Sequence, residues 1–158
     1  MEFDLNLTLR IVWSMIFGFA LGFEREVTGK FAGLRTHILV STGACVFTIL
    51  SLYGFRYGLT DGYNGINDPA RIAAQVITGI GFIGAGTVMR HGTTVSGITT
   101  AATLWVSAAV GMAAGCGMFY VGGIVTFLTL IVLVVIRYFE RSMIVKKIAE
   151  KNKNKEDI

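Results

Sequence analysis

From Ile98 to Ile136 the chain carries no charged side chain. This run is about twice the ~20 apolar residues a helix needs to cross the ~30 Å hydrocarbon core of a bilayer. A helix that is apolar all round must be buried in protein or immersed in lipid, so the run restricts the fold more than any other feature. Gly115-Cys116-Gly117 supplies a tight turn inside it and divides it into two spans. The rest of the chain agrees. No Asp or Glu occurs between Asp68 and Glu140, and 15% of the residues are charged against 53% hydrophobic, where soluble domains carry about 25% charged.

Three more apolar runs precede this pair. The expected fold is an all-α integral membrane protein, a bundle of five transmembrane helices at about 5–23, 38–55, 72–89, 98–114 and 119–136, with a basic tail over 137–158. All but Arg10, Arg56 and Arg71 of the fourteen Lys and Arg residues fall on one side of this arrangement. By the positive-inside rule that side is cytoplasmic, which puts the N-terminus outside and the tail in the cytoplasm. Arg10 lies in the first span, close enough to the outer face to snorkel outward. The opening "MEFDLN" is acidic and no small-x-small cleavage site ends the first run, so the first segment reads as a retained span rather than a signal peptide. The lysine-rich tail suits an anionic inner leaflet. Cys45 and Cys116 read as buried thiols rather than a disulfide or metal pair.

Gly79-x-Gly81-x-x-Gly84 has the spacing of a dinucleotide-binding turn. That turn needs a strand before it and an acidic residue about 20 positions on. Here Asp68-Pro69 precedes it, a helix start with Asp as N-cap and Pro at the first helical position, and no acid follows before Glu140. A dehydrogenase is excluded, and no cofactor is expected.

Drawn as a wheel at 100° per residue, the third span has three sides. Asp68, Arg71 and Gln75 form a polar cluster at its outer end. Ile72, Val76, Ile80 and Ile83 form a bulky side that would face lipid. Ala74, Thr78, Gly81 and Ala85 form a small side that would pack against neighbouring helices, since small residues let helices approach closely in a membrane. The glycines read first as packing surface and second as a flexible or broken helix of the kind transporters use. For the polar cluster, capping and pairing (Asp68 as cap, Arg71 with Asp68, Gln75 to another span) compete with an ion or partner site.

The first inner loop, "GFEREVTGKFAGLRTH", places Glu24, Arg25 and Glu26 at the membrane boundary, with Arg35 the expected partner for the acids. Solvated charges and a buried inner-face ion-pair cluster of Glu24, Arg25, Glu26 and Arg35 are the two readings. The second inner loop, "MRHGTTVSGITTAATLW", resembles the first at an offset that aligns Gly22 with Gly86, Gly33 with Gly97, and Thr36 with Thr100. This is a weak sign of a duplicated helical hairpin. Thr94, Thr99 and Thr100 are candidates to cap the fourth span or bond across helices, and His91 reads as a polar loop residue.

Three ordered blocks, "GFEREVTGKFAGLRTHILVSTGA", "DPARIAAQVITGIGFIGAGTVMRHG" and "VSGITTAATLWVSAAVGMAAG", resemble the MgtC/SapB family of bacterial inner-membrane proteins over roughly residues 15–117. The resemblance is to the short form without a C-terminal soluble domain. It implies a multi-pass plasma-membrane protein linked to adaptation to low magnesium, acting on other membrane proteins such as ATP synthase. Virulence-associated members carry Asn at the position of Thr99, so their role in host cells is not carried over. The expected partners are the lipid bilayer, further copies of the chain and other membrane proteins, with no nucleic acid.

Two functions compete. A regulatory protein would work through helix faces. A small carrier or channel subunit for Mg²⁺ would need oxygen ligands around a largely hydrated ion, and Asp61, Asp68, Glu24 and Glu26 lie at span ends with none at mid-membrane. A metal centre is not expected. An enzyme is least favoured, because no nucleophile–base pair is evident.

Overall fold

The computed structural model describes residues 2–54, 68 and 70–139. Among these residues, five α-helices follow in order: α1 (Glu2–Val27), α2 (Leu34–Ile49), α3 (Ala70–Ala85), α4 (Ile98–Gly115) and α5 (Phe119–Ile131). A wider π turn continues α2 over Leu50–Gly54 and another continues α5 over Val132–Ile136. The chain forms two compact units, one ending at Thr126 and the other starting at Phe127. In the second, Phe127, Leu128, Ile131 and Val132 are exposed, as expected of side chains whose solvent is lipid.

Helix count and span count differ. The segments Asp4–Val27, Leu34–Gly54, Ile98–Gly115 and Phe119–Phe139 are long and apolar enough to cross a membrane, whereas Ala70–Ala85 is shorter. The expected third span therefore needs correction. It ends at Ala85, and Met89 already belongs to a strand. Gly86 and Thr87 close the helix with backbone bonds to Phe82 O and Gly84 O. The loop between α3 and α4 is an antiparallel ribbon, β1 (Met89–His91) with β2 (Thr94–Ser96), pairing Arg90 with Val95 and His91 with Thr94 around Gly92-Thr93. A glycine-led pair between two short extended runs is a hairpin signal, and the loop reading passed over it.

Glycines end two helices by the same device. After α1, Gly29 (φ 64) and Lys30 donate to Glu26 O and Arg25 O; after α4, Gly117 (φ 78) and Met118 donate to Ala114 O and Ala113 O. These are paired 5→2 and 6→1 bonds that satisfy the last carbonyls of a helix through a left-handed glycine. The second makes the expected tight turn between α4 and α5.

The core of the first unit is α1, α2 and α4. Leu21, Cys45, Leu104, Val110 and Ala114 are buried there. What brings the three helices together is glycine. A Cβ on Gly111 would lie 2.1 Å from Ser41 O, one on Gly18 2.7 Å from His37 O, and one on Gly22 2.8 Å from Leu34 Cα. Backbone meets backbone, the contact that small residues permit inside lipid. Gly122 of α5 likewise lies under the Phe17 ring, where a Cβ would sit 2.5 Å from Phe17 Cε2.

α3 packs the other way round from the wheel reading. Ile80 is buried with Ala44 of α2 and Ala108 of α4, and Val40, Val76 and Met112 pack around them. Gly84 sits against Ala101. Ala74, Thr78, Gly81 and Ala85 are all exposed. The expectation of an isoleucine side toward lipid and a small side inward is thus corrected within the single chain. The reason is complementary shape: α2 and α4 supply the small residues, so α3 supplies the bulky ones. A wheel of one helix shows its sides but not which side the neighbours are cut to receive.

Candidate functional site

The buried polar residues form a row through α1, α2 and α4. Near the C-terminal end of α1, Arg25 is 2% exposed and its Nε donates to Glu24 Oε2. Glu26 is exposed, and its Oε2 accepts the backbone N–H of Leu34 at 2.9 Å. The N-cap residue of α2 is Gly33, with no capping side chain of its own, and a Cβ there would collide with that carboxylate. Glu26 therefore caps α2 from the preceding helix, a favourable place for a negative charge beside free amides. Arg35, the expected partner of these acids, is exposed; no ion pair joins it to Glu24 or Glu26. The four residues do not form one cluster. Two make a buried pair, one makes a cap and one is surface.

Above this pair lies His37, fully buried. Its Nδ1 donates to Gly33 O at 2.8 Å, and its Nε2 lies 3.3 Å from Thr103 Oγ1, which donates to Thr100 O at 2.9 Å. Ser41 Oγ donates to Ser14 O and Ser14 Oγ to Ile11 O, both at 2.7 Å, and Thr48 Oγ1 donates to Ala44 O at 2.8 Å. Ser107 Oγ and Thr42 Oγ1 are buried without a hydrogen-bond partner among the described residues. At the far end Arg10 Nη1 donates to Gly115 O at 2.7 Å, its Nε to Asn6 Oδ1 at 2.9 Å, and its guanidinium stands 5.4 Å from the centre of the Tyr53 ring. Arg10 thus closes the end of α4 rather than simply snorkelling outward.

The expected site residues missed most of this row. The signal was present: His37, Ser41 and Thr48 on α2, and Thr100, Thr103 and Ser107 on α4, recur at helical spacing. Thr100 is buried whereas Thr99 is exposed, so the two threonines have separate surroundings. Neither they nor Thr94 cap α4, whose N-cap is Gly97 without a side-chain cap. Cys45 is buried and Cys116 is exposed, and both are free; the expectation of two buried thiols holds for the first and is corrected for the second.

At the start of α3, Asp68 Oδ1 accepts the N–H of Ala70 at 2.9 Å and Asp68 O that of Arg71 at 3.2 Å. Asp68 is the helix cap that its position suggested. Asp68, Arg71 and Gln75 are all exposed, and no ion pair joins Asp68 to Arg71. Among the described residues no group of three His, Cys, Asp or Glu side chains is placed to hold a metal ion. His91 lies in β1. Asp61 falls outside the described residues, as does most of the basic tail.

The architecture has counterparts in sequence. A family model, that of the MgtC family, matches residues 11–142. The chain is 47% identical over 125 residues to an Escherichia coli K12 protein called "Putative magnesium transporter YhiD", a match covering 79% of this chain and 58% of that one. It is 44% identical over 111 residues to "Protein MgtC" of Salmonella typhimurium LT2, covering 70% and 44%. It is 44% identical over 119 residues to "Uncharacterized protein slr0014" of Synechocystis, covering 75% and 47%. The chain spans about half the length of the curated relatives it matches. No solved structure matches it.

Proposed function

The chain belongs to the MgtC family and is a multi-pass protein of the bacterial inner membrane linked to magnesium, and from that premise we propose a regulatory role rather than conduction of the ion. It acts during adaptation to low magnesium, through contacts with other membrane proteins, and carries out no chemistry of its own. In this reading the N-terminus is outside and the tail is cytoplasmic.

The observation that supports the proposal is the closure of the α1, α2 and α4 core. A path for Mg²⁺ has to admit an ion that dehydrates reluctantly and usually keeps several waters. Here the backbones touch at Gly18, Gly22 and Gly111, leaving no room for such an ion between these helices. The carboxylates near the helix ends have local duties: Glu24 beside Arg25, Glu26 on the amide of Leu34, Asp68 on the amide of Ala70. The small side of α3 points away from its own bundle, and such a side suits contact with another helix in lipid, from a second copy or from a different protein.

The second reading is a subunit of a magnesium carrier. It is favoured by the name of the Escherichia coli relative and by the hydroxyl row, which an altered packing would turn into a line of oxygen ligands. Purified protein in liposomes enclosing a Mg²⁺-sensitive dye separates the two. The regulatory reading expects dye signal no different from empty liposomes. It also expects Gly81→Leu, made at normal abundance, to fail to restore growth of a deletion strain at low magnesium. Ion-selective flux from the purified chain overturns it.

A further inference from the structure

α2 and α3 touch over a small area, and between them lies a cleft of about 700 Å³. Its walls are Leu39, Val40 and Phe47 on one side and Ile72, Val76 and Ile83 on the other, with Ala108 of α4 at the back. Gln75 is its polar member. Two glycines, Gly43 on α2 and Gly79 on α3, line it near mid-length. Neither resembles the glycines of the core: a Cβ on either would meet nothing within 4 Å. A glycine in mid-helix costs roughly 0.5–1 kcal/mol relative to alanine, and among the described residues no helix approaches to use the space. These two glycines widen the cleft instead of closing a contact.

Length and charge identify what fits. From Ile72 to Ile83 the cleft follows α3 for about 16 Å at ~1.5 Å per residue, close to half the ~30 Å hydrocarbon thickness, which is the depth of one leaflet. At the end of this track stands Arg71, exposed and one turn from Gln75 on the same side of the helix. The carboxylate of Asp68 is turned onto the amide of Ala70; among the described residues, the Gln75 amide in the cleft lining and Arg71 one turn before it are the side-chain donors at this end of α3. An apolar slot one leaflet deep with an arginine and an amide at its mouth is complementary to an amphiphile with an anionic head.

We propose that the cleft between α2 and α3 holds an acyl chain of an anionic phospholipid, with Gln75 and Arg71 meeting its phosphate at the N-terminal end of α3. This stands apart from the regulatory reading, since a carrier and a regulator could each hold such a lipid.

The test uses the full chain in nanodiscs of equal phosphatidylcholine and phosphatidylglycerol, followed by native mass spectrometry of the released protein. The expected result is one retained lipid per chain, with phosphatidylglycerol enriched several-fold. Gly43→Leu with Gly79→Leu fills the slot and should lower retention about tenfold, with unchanged helix content by circular dichroism. Arg71→Gln is a surface change that leaves the fold intact; it should keep the lipid while bringing the two headgroups to parity. Arg35→Gln, at the opposite end of α2, should alter neither. Unchanged retention in the filled variant overturns the proposal. So does a parent chain that retains no lipid but self-associates, with that association lost in the filled variant, which would assign the cleft to a second copy. Loss of headgroup preference with Arg35→Gln and not with Arg71→Gln would overturn the placing of the head.

Discussion

Gly111→Ala adds one methyl group to α4, and the structure gives it a large effect. The new carbon would lie 2.1 Å from Ser41 O and 2.8 Å from the Ser41 carbonyl carbon. Ordinary contact begins near 3.4 Å, so α4 and α2 must part by more than an ångström. The obstructing atoms are backbone, so no side chain can swing aside. Overpacking of this kind costs about 1–3 kcal/mol, and the upper half of that range applies, because separating the helices also loosens Val110 and Ala114. A loss of about 2–3 kcal/mol in a chain of this size lowers Tm by roughly 5–10 °C. Gly79→Ala is the matched control: the same methyl in open space should hold stability or raise it slightly, since alanine is the better helix former. The assay is thermal unfolding in detergent followed by a thiol-reactive dye, with Cys116→Ser in the background so that buried Cys45 reports. Gly111→Ala melting within a degree of its parent, or both alanines lowering Tm equally, would refute the idea that backbone contact through glycine holds this core together.

Arg25→Met should be destabilising by about 3–5 kcal/mol, because it removes the buried guanidinium of an ion pair; Arg25→Lys, which keeps the positive charge, should lose less, measured by the same melting assay. Glu26→Ala should cost about 1 kcal/mol, the value of a helix cap, by freeing the Leu34 amide, and Glu26→Gln should cost less. Gly81→Leu should leave the melting temperature of the chain unchanged, since nothing lies within 4 Å of that position. Its effect should appear in the oligomeric state seen by crosslinking in membranes, and an unaltered state would count against α3 as a contact surface.

The order of the helices was legible because long uncharged runs and glycine turns are local signals. The turn at Gly115-Cys116-Gly117 and the cap at Asp68 could be read from a few residues each. The facing of α3 could not, because it depends on Ala44 and Ala108, which lie on other helices. Glu26 escaped for a related reason: its duty is set by the absence of a side chain at Gly33, seven positions on, and charge-pairing logic sends it to Arg35 instead. The resemblance at family level held, since blocks in fixed order survive where individual roles do not. The row from Arg25 through His37 to Arg10 was visible as helical spacing in each span, but three helices must be laid together before it becomes one line.

The brevity of α3 has a consequence for the lipid around it. Sixteen residues give a rod of about 24 Å at ~1.5 Å per residue, some 6 Å short of an average hydrocarbon layer of ~30 Å. A helix this short is accommodated by thinning the bilayer, at a modest cost for each ångström. Thick, highly ordered membranes would therefore strain the seat of α3 on α4 and thin, fluid ones would relieve it, so the bundle would act as a gauge of bilayer thickness.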